Sequence, residues 1–356
     1  MGAPSWFSEF FPWVALQGIL AYVVAQHPGG LPTMCQTRLV GCVCKCTDHT
    51  YALQVAIVTG GNSGIGLETV RALLKKHATV YIAARNAETA KAAIDAFQKD
   101  PATAAGKVTF LPLDLGSFRS IEAFVRSFQE RESRLDLLFN SGGVYFPEAR
   151  FSLLLAKANL YQLGRVSTEG YEIHVGINAL GHYYLTKLLL PLLRASAKAS
   201  PENPPRVCFT SSHGHTQAVK GFDPADPSGS HGRGKGLSGG SMAYAYSKME
   251  NILTAYKFHR EYDKDGIVFT AVNPGNLRTN IVRSVTGPLR LVANYIVTPL
   301  LHYPQEYGAI TQLYANTAPE TQGDGGAYFV PWARRGEPLP IAKDTTVQDK
   351  CTWGEE

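Results

Sequence analysis

The stretch that most constrains the fold is Thr59-Gly60-Gly61-Asn62-Ser63-Gly64-Ile65-Gly66. It follows the apolar run Val55-Ala56-Ile57-Val58, and beyond it Ile65, Val70, Leu73 and Leu74 recur at helical spacing. A strand therefore enters a glycine turn and leaves as a helix. Backbone N–H groups in such a turn are unobstructed by side chains, and the helix N-terminus adds partial positive charge. A pyrophosphate can sit there. Ordinary strand-to-helix turns also contain glycine, so the motif alone leaves both readings open.

From Gln54 to about Trp332 the chain alternates strand and helix signals. Strand candidates are 55–58, 79–84, 108–113, 135–139, 207–210, 267–272 and 327–330. Helical stretches separate most of them. In one, Ser117 can cap a helix carrying Ile121, Phe124, Val125 and Phe128 on one face. Such alternation predicts a parallel sheet with helices on both faces. With right-handed crossovers, it is an α/β, doubly wound (Rossmann) sheet of about seven strands.

Composition narrows the partners. Charged residues are 18% of the 356, and the net charge of +5 is spread out with no block of Lys or Arg. Nucleic acid is not favoured. Six cysteines are too few for a disulfide framework in a chain this long. Four are crowded at Cys35, Cys42, Cys44 and Cys46, but C-x-C-x-C lacks the paired knuckles of zinc modules, so no metal is expected. The apolar stretch Phe10–Ala25 is shorter than the ~20 residues a spanning helix needs. No Lys or Arg precedes it, which argues against a secretory signal and for a cytoplasmic protein. It reads as a helix lying on the protein or on a membrane surface.

Three segments break the alternation: the irregular, Cys-rich 26–53, the apolar-basic 148–167, and 222–240, which reads as a flexible loop. The chain divides into an N-terminal extension over 1–53, a nucleotide-binding domain over 54–333 and a C-terminal tail over 334–356.

The spacing G-x-x-x-G-x-G, headed by Thr59 and closed by Gly64-Ile65-Gly66, resembles the short-chain dehydrogenase/reductase family. The resemblance makes Gly60, Asn62, Ser63, Gly64, Ile65 and Gly66 candidate dinucleotide contacts. The second strand ends Ala83-Ala84-Arg85, without the carboxylate that would hold the ribose hydroxyls of NAD. Arg85 can instead pair with a 2′-phosphate, which favours NADP(H). Asp114 resembles the family's adenine contact, although an Asp before a helix is also an ordinary cap. Asn140-Ser141-Gly142-Gly143 stands where the family writes Asn-Asn-Ala-Gly, and Asn140 matches. Pro274, Gly275, Leu277 and Thr279 follow the sixth strand as in the family's nicotinamide-binding loop.

A tyrosine four residues before a lysine places both on one helix face. The pair can pass a proton to or from a carbonyl oxygen. A nearby ammonium, with the charge of an oxidised nicotinamide, is expected to lower the phenol's pKa. Tyr183/Lys187 and Tyr244/Lys248 both have this spacing. Only the second follows the strand ending in Ser211-Ser212 and has the family's Tyr-x-x-Ser-Lys form. Tyr183 and Lys187 read as helix surface, with Lys187 within reach of the cofactor. The resemblance makes Ser212 the hydrogen-bond partner of the substrate oxygen. It likewise makes Asn178, in the Asn-x-x-Gly-His pattern, the anchor of a water linking the lysine to solvent. His213 and His215 read as loop residues.

The resemblance extends to the retinol-dehydrogenase-like and fungal biosynthetic branches. It implies an NADP(H)-dependent oxidoreductase interconverting a carbonyl and an alcohol on a hydrophobic small molecule, such as a polyketide or terpenoid of secondary metabolism, with 278–303 as its lid. Homodimers and homotetramers are the family's common assemblies. The rivals are an NADPH-binding sensor or scaffold and a catalytically impaired member. Segments 26–53 and 148–167 fall where the family is shorter, and at least one is expected to be intron sequence translated in error.

Overall fold

A computed structural model describes residues 54–145, 166–218, 239–275, 277 and 304–350. The expectations for 10–25, 26–53, 278–303 and Thr279, and for most of 148–167 and 222–240, lie outside these residues.

The strands are β1 Val55–Thr59, β2 Thr79–Ala84, β3 Lys107–Pro112, β4 Leu137–Asn140, β5 Arg206–Thr210, β6 Val268–Val272, β7 Tyr328–Val330 and β8 Arg334–Gly336. They form one sheet in the order β3-β2-β1-β4-β5-β6-β7-β8. All neighbours pair in parallel except β7 and β8. The described sheet thus has eight strands rather than about seven. The added strand, Arg-Arg-Gly, has no apolar alternation by which a sequence reading finds strands.

Between the strands run α1 Gly64–Leu74, α2 Ala87–Lys99, α3 Phe118–Gln129, α4 Gly181–Ala199, α5 Gly239–Tyr262 and α6 Gln305–Thr317, and α7 Thr345–Asp349 comes last. Alternate residues of each strand serve different cores. Ile57, Tyr81 and Leu138 join a cluster with α3, α4 and α5, while Ala56, Val58, Val80, Leu137 and Phe139 pack with α1 and α2. Burial on both faces is why these strands read as unbroken apolar runs. Ser117 caps α3 as expected, its side chain accepting from Ser120 N. Gly239 and Gly240, assigned to a flexible loop, instead begin α5. Tyr183 is not on the surface: it is buried against Phe258.

Residues 334–350 are built into the domain rather than trailing as a tail. β8 pairs with β7, and Arg260 of α5 donates to Gln348 Oε1 at 2.7 Å. Among the described residues no helix is long and apolar enough to cross a membrane. Because β1 leads to β2 on one side and its neighbour β4 leads to β5 on the other, the strand order reverses between them, and a crevice is expected at their carboxyl ends.

Candidate active site

The glycine turn stands at that crevice. Gly60 and Gly64 take φ of 66° and 59°, which side chains disfavour. A Cβ on Gly66 would lie 2.5 Å from the Gly60 carbonyl oxygen, so α1 starts against the turn only because no side chain intervenes. Ser63 makes no side-chain cap, and the first turn of α1 carries no acidic residue. This helix end is therefore left to an anion, which fits a dinucleotide pyrophosphate. Asn62 Nδ2 donates to Thr89 Oγ1 at 2.7 Å, and Asn86 caps α2 by accepting from Thr89 N at 2.9 Å. Arg85 is exposed beside this link at the end of β2. Asp114 closes the turn into α3: its Oδ1 accepts from Gly116 N at 2.9 Å.

The end of β4 is held from beneath. Thr59 Oγ1 accepts from Ser141 N at 2.9 Å and Gly142 N at 2.8 Å. Gln312 of α6 accepts from the Ser141 hydroxyl at 2.9 Å and the Thr210 hydroxyl at 3.1 Å. Asn140 turns inward, fully buried, and donates from Nδ2 to Thr186 Oγ1 at 3.1 Å. Its side chain ties β4 to α4. Beyond β6, Asn273 Oδ1 accepts from Gly275 N at 3.0 Å, bending Pro274-Gly275 toward Pro331. Leu277 is buried, and Gly308 is the point where it meets Ile65: a Cβ there would lie 2.2 Å from Leu277 Cδ1 and 3.0 Å from Ile65 Cγ1.

Ser212, Tyr244 and Lys248 converge between β5 and α5. Ser212 follows β5 and caps the short 3₁₀ turn His213–Gln217, its Oγ accepting from Gly214 N at 3.1 Å. The same hydroxyl is hydrogen-bonded to Tyr244. Lys248 is buried; its Nζ donates to Thr210 O at 2.9 Å and stands 5.6 Å from the centre of the Tyr244 ring. Tyr145 packs edge-on against that ring at 4.8 Å. Asn178 lies in a π-helical turn, Val175–Leu180, just before α4. Its Oδ1 accepts from Val144 N at 2.8 Å, while Nδ2 donates to Val144 O at 3.0 Å and Ser247 Oγ at 3.1 Å.

Two expectations need correction. Lys187 is not brought to this site. Its Nζ donates to Tyr262 Oη at 3.2 Å, at the far end of α5 from Lys248, because α4 carries it away from the carboxyl edge. In the protein alone, burial pushes Tyr244 up to about 12, against the smaller opposing effect of its Ser212 hydrogen bond; the expected lowering belongs to the site with an oxidised nicotinamide beside it. Burial also lowers Lys248 to about 8. Finally, His215 is no free loop residue. It is buried, and its Nδ1 anchors Ser212 O at 2.7 Å.

The roles of Thr59, His182 and Gln312 escape a sequence reading because their partners lie far along the chain. Only the Gly-His pair after Asn178 hints at one of them.

The chain is similar to several known proteins. The family model described as short chain dehydrogenase matches residues 54–221. A short-chain dehydrogenase/reductase of Armillaria gallica is 35% identical over 297 residues, covering 83% of this chain and 87% of that one. Retinol dehydrogenase 14 of Homo sapiens is 30% identical over 311 residues, covering 83% of each chain. Among solved structures, the Pseudomonas aeruginosa RhlG/NADP active-site complex has a TM-score of 0.58, covering 80% of this chain and 96% of that one; at 24% identity it bears on the fold alone.

Proposed function

Since the chain belongs to the short-chain dehydrogenase/reductase family, we propose that it is an NADP(H)-dependent oxidoreductase that interconverts a carbonyl and an alcohol on a hydrophobic small molecule. The observation that carries this reading is the hydrogen bond between Ser212 and Tyr244 with the Lys248 ammonium 5.6 Å from the same ring.

A bound nicotinamide would supply the hydride. Tyr244 holds the proton. The phenol can donate its proton to a carbonyl oxygen in reduction and take one from an alcohol in oxidation. Ser212 has one lone pair engaged by Gly214 N, so its proton and second lone pair remain for Tyr244 and the substrate oxygen. Lys248 presents a cation to the ribose side, and Asn178 fixes the backbone at Val144 beside it. Arg85, exposed where NAD-binding members place a carboxylate, supports NADP(H) through charge-assisted pairing with a 2′-phosphate. The retinol-dehydrogenase and fungal relatives support a hydrophobic alcohol or carbonyl as substrate.

The test is NADPH oxidation against a panel of hydrophobic aldehydes and ketones, run beside Tyr244→Phe. Loss of the acid should lower kcat by roughly 10²–10⁴-fold with NADPH affinity retained. Undiminished turnover in the variant removes this mechanism. NADPH binding without turnover on any carbonyl supports a sensor or scaffold instead.

A further inference from the structure

We infer that His182 is a positioning residue for this reaction, a neutral imidazole that bridges the two clamps holding segment 141–144 between the cofactor turn and Lys248. The inference rests on the function proposed above and assigns a role to a residue outside its proton path.

The first clamp is Thr59. Its hydroxyl oxygen receives the N–H groups of Ser141 and Gly142, which uses both lone pairs. Its own proton remains to be donated. His182 Nε2 is 2.8 Å away and Phe139 O is 3.3 Å away, so the shorter contact goes to the imidazole. The second clamp is Asn178, whose side-chain amide holds both backbone groups of Val144. His182 Nδ1 lies 2.8 Å from the Asn178 carbonyl oxygen. A carbonyl only accepts, so Nδ1 carries the proton and Nε2 is bare. The tautomer follows from the partners.

A single ring thereby joins Thr59 on β1 to Asn178 in the π-helical turn. The segment they grip passes close to the reacting groups: a Cβ on Gly143 would lie 3.1 Å from Asn178 Oδ1 and 3.7 Å from Lys248 Nζ. His182 is fully buried. A second proton on the ring would leave Thr59 facing a donor in place of an acceptor. Burial, with a smaller effect from the Lys248 ammonium, holds the imidazole pKa down at about 3. The ring thus stays neutral through the working pH range.

The test separates the two bonds. His182→Gln keeps an acceptor near the Nε2 position, and His182→Asn keeps a donor near the Nδ1 position. For His182→Gln, the NADPH Kd is expected within about threefold of wild type, with kcat on the best carbonyl of the panel down about tenfold. For His182→Asn, the Kd should rise about tenfold with the smaller change in kcat. Equal changes in both variants, or none, overturn the assignment. If neither variant folds, the wild-type protein decides. Long-range proton–nitrogen NMR should find Nδ1 protonated with no titration between pH 5.5 and 9, and an Nε2–H ring refutes the bridge. A wild-type protein that reduces no carbonyl counts against the proposed function, whereas the tautomer still judges His182.

Discussion

Lys248 and Arg85 make opposite demands on solvent, and each gives a measurable consequence. Lys248 titrates near 8 in the folded protein instead of 10.5, because it is buried. Between those values the unfolded chain binds the extra proton, so stability rises with pH across that window. Below pH 8 the cost of the buried cation is fully present. Wild type should therefore gain thermal stability relative to Lys248→Met between pH 8 and 10, measured as Tm. NADPH affinity should move the other way, weakening above about pH 8 as the ammonium is lost, and Lys248→Met should bind with no such pH dependence. Arg85 is exposed, and its proposed partner is a phosphate. Arg85→Asp is expected to shift the NADPH/NADH ratio of kcat/KM by roughly tenfold to hundredfold toward NADH. An unchanged ratio places the 2′-phosphate elsewhere. The tyrosine, lysine and serine were legible because their order along the chain distinguishes them from chance pairs. Lys187 misled because a four-residue spacing says which helix face is shared, not where that face points.

At the level of elements, the π-helical turn and the helix that follows it govern how Asn178 is presented. Gly181 sits at their junction, where a Cβ would lie 2.3 Å from Leu115 O. Gly181→Ala should cost about 1–3 kcal/mol in a denaturant titration by overpacking. It should also lower kcat more than NADPH affinity, since α4 must move away from the loop after β3. The parent helix was readable from its Asn-x-x-Gly-His pattern. The π turn, Val175–Leu180, was not, because one widened turn leaves no period of its own. β8 escaped for a related reason: three residues are too few to show alternation.

Across the whole molecule, the strand order puts the first glycine turn, the β4 turn and the β5–α5 groups on one edge, although Thr59 and Tyr244 are 185 positions apart in the chain. That convergence was legible as a family pattern of strand and helix, while the side-chain links that stabilise it were not. The two irregular segments, 26–53 and 148–167, do not follow that pattern. Peptide mass spectrometry of protein from its native source is expected to miss at least one of them, and peptides from both would refute the translated-intron reading.

One helix has a consequence for how the protein comes into being. α6 packs on α1 and on β4, β5 and β6, and its Gln312 receives the hydroxyl groups beneath the crevice. Yet it follows Tyr244 and Lys248 by more than fifty residues in the order of synthesis. While the ribosome is still making that helix, the nascent chain already carries its acid and its cation, but the floor beneath them lacks its cover. Until α6 emerges, the apolar surface it will cover is open, and a chaperone that shields this flank would act late in translation.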